Sequence, residues 1–559
     1  MSRLIAVARS FGPWPAVLLM STGLLLVALA ATATRPDAAT TDPPTWHPAY
    51  VLGILLVVVP AAVGIALPRA RPHTPAVLAV AMAALLTTAQ LLVRPTVFVR
   101  DDDVARVLTV RELVQSEHLF GTGGITPDLA ALPGLALATT AVRALTGLST
   151  FASAAVLVVL VQTVLAGVLL LLGRHLTRSA RIGALAAVLY AASPSLLVAG
   201  DLWSPGRLAT ALAVLAAYLL VTRRRRSRVS AGPAVLALVA VAWTDQRTAV
   251  VAAVGLVVWL LLDALLRPAA TSSVPALATA TALAALAVAV VAVHASTVTD
   301  GAAVRDRPLS GTTPTWLDVA GVAPGWAVVL LVAAPVVVVV GVALGLRRSR
   351  FFVATRVSAA VLLALGGLLS MLLAGTVGVD AAATASAWGG GLVLVGAAFV
   401  TAWWFWQRPP VPARAVALGL AVGLVGLGGA VGVPVANLPA GQTTVVAGAR
   451  GYDPDTVAAV RWLAATLPAD RRVYADPTGG LLLTLVGRQT PVTTLLSDSI
   501  VLQQALAENG VQYVVADRRN PSGPSPDTLR IVAQSPVVST VYDNGAVIVY
   551  ALEGFDAPR

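Results

Sequence analysis

The feature that most constrains this chain is a succession of about thirteen apolar runs, most of them long enough, at roughly 18 residues or more, to cross a bilayer as a helix. They lie near 13–33, 49–67, 74–94, 151–172, 182–199, 206–221, 231–244, 248–266, 272–294, 325–346, 357–377, 386–406 and 414–435. Two of them, 206–221 and 231–244, are short, which neighbouring helices in a bundle can cover. Of 559 residues, 57% are hydrophobic and 11% charged, more apolar surface than a water-soluble fold can hide. The expected class is a polytopic α-helical membrane protein of about thirteen transmembrane helices, because a helix satisfies its own backbone polar groups in lipid.

The net charge of +12 sits in short loops between those runs. All 38 basic residues are Arg. With Arg3 and Arg9 placed in the cytoplasm, six alternate loops carry the remaining basic clusters: Arg69 and Arg71; Arg174, Arg178 and Arg181; Arg223 to Arg226 with Arg228; Arg267; Arg347, Arg348, Arg350 and Arg356; and Arg408 and Arg414. That is the positive-inside pattern of a multi-pass plasma-membrane protein with a cytoplasmic N-terminus. It holds only if 129–147 is not a span, so that stretch is expected to be a helix lying at the outer membrane surface. MSRLIAVARS and the run after it read as a retained signal anchor. The basic loops form no aromatic-plus-basic groove, so nucleic acid is not an expected partner. The lack of cysteine excludes disulfides, thiolate metal sites and cysteine nucleophiles.

Three segments then face outward: 95–150, 295–324, and a tail from about 436. The tail is more polar, with strand-like RRVYAD, VQYVVAD and VIVY alternating with helical DPDTVAAVRWLAATLP and DSIVLQQALAENG. It is expected to be an extracytoplasmic α/β domain over 436–559, following two N-terminal transmembrane helices in 1–73 and a transmembrane core over 74–435. The Gly-rich VYADPTGG of the tail lacks G-x-G-x-x-G and does not read as a nucleotide site.

Chemistry is concentrated where Asp101, Asp102 and Asp103 follow the third run. Asp102 or Asp103 can cap the helical stretch VARVLTVRELV. Equally, adjacent carboxylates at a membrane surface can serve as a general base or as metal ligands. Behind them come Arg111-Glu112, the apolar stretch PDLAALPGLALATTAVRALTGLSTFA, the basic turn GRHLTRSAR and the ASPSLL segment at 192–197.

This order and spacing resembles the GT-C type glycosyltransferases, which include the aminoarabinose and protein O-mannosyl transferases. The resemblance covers 74–270 well and is vaguer to 435. It implies transfer of a sugar, hexosyl or pentosyl, from a polyprenyl-phosphate donor to an envelope glycan, lipid or protein acceptor at the outer face. By position Asp102 matches the catalytic-loop Asp and would deprotonate the acceptor, with Asp103 in the place of its acidic neighbour. In members that use a divalent cation, Asp102 and Asp103 would be its ligands. Some positions depart from the pattern: Arg106 stands at the aromatic position, Glu117 at an expected Gly, and Gly206 where many members carry an acid, leaving Asp201 five residues earlier as the candidate third catalytic residue.

Arg207, Arg247, Arg111 and His118 are the candidate substrate-binding residues. Arg207 opens a span and reads either as an interfacial snorkelling side chain or as a phosphate ligand. Arg247 shares the short turn WTDQRT with Asp245, where the pair could be a local ion pair or, by resemblance, a donor-phosphate contact. His118 has no second His at metal-ligand spacing. Two alternatives stay open: a non-catalytic envelope scaffold, favoured by Gly206, and a transporter or flippase, disfavoured by spans nearly clean of charge.

Overall fold

Seen through its helices, the N-terminal half of the molecule follows the apolar runs closely. The computed structural model describes residues 13–33, 48–66, 73–93, most of 106–114, 133–177, 179–192, 203–223, 231–245 and a few helical positions to 256; in the tail it describes 454–468, 471–474, 490–492, 511–517, 538–545 and 547–552. The expected spans beyond 266 lie outside the described residues. Among the described residues, the helices before the tail are α1 Trp14–Ala33, α2 Pro48–Ala66, α3 Thr74–Val93, α4 Gly134–Thr146, α5 Thr150–Thr177, α6 Ala180–Ala191, α7 Pro205–Arg223 and α8 Ala231–Thr244. Among the described residues, α1, α2, α3 and α5 are long and apolar enough to cross a membrane, and α4, α6, α7 and α8 are shorter apolar helices. The chain is a multi-pass membrane protein.

Small residues bring these helices together. A Cβ added at Gly23 would lie 2.5 Å from the Gly53 carbonyl oxygen, and one at Gly53 would lie 2.6 Å from the Gly23 carbonyl oxygen. The backbones of α1 and α2 therefore meet at a reciprocal glycine contact, the way membrane helices gain packing where hydrophobic exclusion cannot drive them. Gly183 does the same for α5 and α6: a Cβ there would stand 2.4 Å from the Leu170 carbonyl oxygen. α3 packs against α1, α2, α5 and α6, and α5 also meets α7, which pairs with α8. On α1, Met20, Val27 and Ala30 are buried while Leu18, Leu25 and Leu29 are more than half exposed, which gives the helix one face for protein and one for lipid.

Three local rules set helix ends. Pro48 and Pro205 open α2 and α7, where a missing N–H costs nothing. Ser179 caps α6, its hydroxyl accepting from the Ile182 amide at 3.5 Å. Ala191 ends α6, short of the span expected to 199; Pro194 disfavours helical backbone just before it, and 193–200 lie outside the described residues.

α4 corresponds to the stretch expected to lie on the membrane surface. Its 13 residues give a length of about 20 Å, well short of a roughly 30 Å hydrocarbon core. Leu135, Ala136 and Thr139 are buried, whereas Ala141, Ala144 and Leu145 are exposed. Gly147 ends it in the left-handed conformation (φ 70°), its amide donating to the Arg143 carbonyl at 2.8 Å. After only Gly147, Leu148 and Ser149, α5 begins. The Arg143 guanidinium spans that corner to the Thr150 hydroxyl at 3.1 Å.

In the tail, helix α9 (Pro454–Thr466) precedes a five-stranded sheet of β1 Arg472–Tyr474, β2 Thr490–Val492, β3 Tyr513–Asp517, β4 Val538–Asp543 and β5 Val547–Leu552. The spatial order is β2-β1-β3-β5-β4. β1 runs parallel to β2 and β3, while β5 runs antiparallel to β3 and β4. α9 packs on β5, and Trp462 stacks on Tyr542 with ring centroids 5.0 Å apart. The β4–β5 hairpin turns through Asp543, Asn544 and Gly545 (φ 86°), with the Asp543 carboxylate accepting from the Gly545 amide at 2.8 Å.

Candidate functional site

One end of the bundle brings together the buried side chains of Thr139, Ser204, Arg207 and Thr244. Helix α4 touches the start of α5, the start of α7 and the end of α8, so these three helix ends lie on one side. They are the ends that the Arg pattern places outside. The opposite ends carry the basic turn: Arg174 and His175 close α5, Arg181 opens α6, and Arg223 closes α7.

Of the sequence candidates, Arg207 and Arg111 fall among the described residues, and Arg207 is the more buried of the two. It stands in the first turn of α7, next to Gly206, and only 8% of it is exposed. Ser204 precedes Pro205 and is itself buried; its carbonyl accepts from the Leu208 amide at 3.4 Å. An Arg at a helix N-terminus adds to the positive end of the helix dipole instead of offsetting it.

Trp203 lies just ahead of that turn, 1% exposed. Its indole N–H donates to the Thr139 hydroxyl of α4 at 3.1 Å. That hydroxyl in turn donates to the Leu135 carbonyl at 2.9 Å, and Thr139 is fully buried. A second junction binds α4 to α8: a Cβ on Gly134 would sit 2.3 Å from the Thr244 hydroxyl oxygen and 2.8 Å from its Cα. Only glycine fits there without a shift.

Sequence reading missed Trp203, Thr139 and Thr244. A buried indole N–H needs an acceptor, so a Trp between Leu202 and Ser204 in an apolar chain was a usable signal. Its acceptor, 64 residues away, was not readable.

Asp245 has a structural role. Its carboxylate accepts from the Thr248 amide at 3.1 Å and from the Thr248 hydroxyl in a short hydrogen bond, and its carbonyl accepts from the Ala249 amide at 3.0 Å. It is the N-cap of the helical residues that follow.

Arg111 belongs to the helical stretch after the acidic triplet, whose Val107 and Val110 are buried in the core. Arg111 itself is half-buried. Asp102, Asp103, Asp201, Arg247 and His118 lie outside the described residues, as do Asp101 and Glu112.

No family model matches the chain. No curated protein matches it either. Among solved structures it is similar to the arabinofuranosyltransferase AftD from Mycobacteria in a mutant form, with TM-score 0.48 and 17% identity over 86% of this chain and 42% of that one. The form without that mutation gives TM-score 0.46 and 18% identity over 87% and 40%. It is also similar to ArnT from Cupriavidus metallidurans bound to undecaprenyl phosphate, with TM-score 0.47 and 13% identity over 88% and 100%. The chain spans about two-fifths of the length of AftD. With every score below 0.5, these likenesses do not bear on the chemistry, which rests on the residues.

Proposed function

We propose that this protein is a membrane glycosyltransferase that moves a sugar from a polyprenyl-phosphate donor to a cell-envelope acceptor. The supporting observation is a buried arginine, Arg207, in the first turn of α7, at the end of the bundle where the surface helix α4 is seated. A cation this dry, at a helix N-terminus on the membrane face, suits the phosphate of a lipid-linked donor.

In this reading the Asp102 carboxylate takes the proton of the acceptor hydroxyl. The acceptor oxygen forms its bond to the anomeric carbon as the bond from that carbon to the phosphate oxygen breaks. The leaving group is the polyprenyl phosphate, and Arg207 stabilises the charge that develops on it. Arg247 and Arg111 are further phosphate contacts, and His118 and Asp103 border the acceptor. Asp201 stands in for the acid that Gly206 replaces. The active face is extracytoplasmic, which also places the α/β tail outside, where it covers that face or recruits the acceptor.

Asp102→Asn tests the proposal: it is expected to abolish transfer from a polyprenyl-phosphate sugar while expression stays unchanged. Transfer at the parental rate would remove Asp102 as the base. A non-catalytic envelope scaffold is the second reading, favoured by Gly206. Glycolipid and envelope-glycan profiles of a deletion strain distinguish the two, since a scaffold leaves glycan structures intact.

A further inference from the structure

The hydrogen bond between Trp203 and Thr139 joins the surface helix to the turn that leads into α7, four residues before Arg207. From this geometry we infer that Trp203 is a positioning residue: through Thr139 it couples the seating of α4 to the placement of Arg207 for a lipid-linked phosphate. The inference rests on the reading of Arg207 given above.

Three observations carry it. Both partners are dry, at 1% and 0% exposure, so water cannot replace either half of the bond. The Thr139 hydroxyl is oriented from both sides, donating to Leu135 and accepting from Trp203, so it holds one rotamer. Finally, α4 meets α7 and α8 through its N-terminal half, while its C-terminal half is tied to α5 by the Arg143–Thr150 hydrogen bond. Gly134 abuts Thr244 and Thr139 binds Trp203, while Ala141, Ala144 and Leu145 on the C-terminal half are exposed. The indole therefore fixes where the chain enters α7. Arg207 follows four residues later, about one helical turn away, so a change in that approach rotates or displaces the guanidinium.

The absence of cysteine makes a direct test practical. Spin labels at Ala144→Cys on α4 and Leu236→Cys on α8, both exposed sites, report the seating of α4 in the full-length protein in lipid nanodiscs. Binding of undecaprenyl phosphate, used as the probe, reports the placement of Arg207. Trp203→Phe keeps an aromatic ring and drops the donor; Thr139→Val keeps the shape and drops the acceptor; Thr139→Ser restores the hydroxyl. A narrow label distance is expected to broaden in Trp203→Phe and more in Thr139→Val, which leaves the indole N–H buried without an acceptor. Thr139→Ser is expected to recover the narrow distribution. Probe affinity is expected to fall about fivefold, on the order of one neutral hydrogen bond. On an Arg207→Gln background, where affinity is already low, Trp203→Phe should add nothing.

A narrow distance in both Trp203→Phe and Thr139→Val overturns the coupling itself. A broadened distance with undiminished affinity, while Arg207→Gln weakens binding, overturns the positioning role and leaves Arg207 as the phosphate contact. Unchanged affinity in Arg207→Gln removes the phosphate reading and the positioning role together, with the label distances still reporting whether the junction holds α4.

Discussion

The α1–α2 hairpin and the α4–α7–α8 corner are built from opposite materials. The hairpin closes on two glycines whose backbones touch, with Met20, Val27, Tyr50, Ile54 and Val57 buried around them. The corner buries Thr139, Ser204, Arg207, Thr244 and the indole N–H of Trp203. A membrane bundle can close on small residues that let backbones approach, as the hairpin does at Gly23 and Gly53. The corner instead buries several hydroxyls and a guanidinium together, and on the reading proposed above that is where a polar ligand would be met.

The sharpest way to separate the two regions is to compare what each loses. The largest effect is expected from Asp102→Asn, in the sequence between α3 and α4: transfer from a polyprenyl-phosphate sugar should fall by about 100- to 10,000-fold, the range for a general base, in a rate assay on protein of unchanged thermal stability. Loss of folding together with activity would count against an acid–base role.

Gly53→Val attacks the hairpin. Its side chain meets the Gly23 carbonyl, so a loss of about 1–3 kcal/mol is expected from overpacking, read as a lower unfolding midpoint in detergent. Undecaprenyl-phosphate binding by the surviving folded protein should not change. A matching fall in affinity would show that the two regions are not separable.

At the corner, Gly134→Ala forces α4 away from Thr244 and should cost at the low end of that range, about 1 kcal/mol. Reagent access to Thr139→Cys, buried in the parent, should rise. Asp245→Ala removes the helix cap at Thr248 and should cost about 1 kcal/mol or slightly less, whereas Asp245→Asn should be nearly neutral because asparagine also caps. Equal loss in both variants would point to a role for the charge. The smallest effect belongs to Leu25→Ala on the lipid-facing side of α1, 65% exposed, where the midpoint should correspond to within about 0.5 kcal/mol of the parent.

How much of this was readable in the sequence follows from the range of each interaction. Runs of apolar residues are local, so α1, α2, α3, α7 and α8 fall within a few residues of the expected spans, and α4 is the short non-spanning helix that the Arg pattern required. In the tail, β1, β3, β5 and α9 answer to RRVYAD, VQYVVAD, VIVY and DPDTVAAVRWLAATLP. β2 went unseen because it is three residues long at a sheet edge with Pro491 at its centre, and β4 because it is an irregular edge strand with a register shift between Thr540 and Tyr542. At the site, Arg207 was visible as a charge opening a span, but its burial was not. Trp203, Thr139 and Gly134 gain their meaning from partners on other helices, and no local pattern encodes such a pairing.

Helix α5 deserves a mechanical description. At 28 residues it is about 42 Å long, roughly 12 Å more than the hydrocarbon core it has to cross. It must lean or stand proud of the bilayer. Three residues and the Arg143–Thr150 hydrogen bond join it to α4, leaving almost no slack at the corner. The pair behaves as a bent crank. On the reading that α4 lies in the membrane surface, the lean of the long arm sets the depth of the short one, and the thickness of the surrounding lipid becomes part of the geometry of the corner.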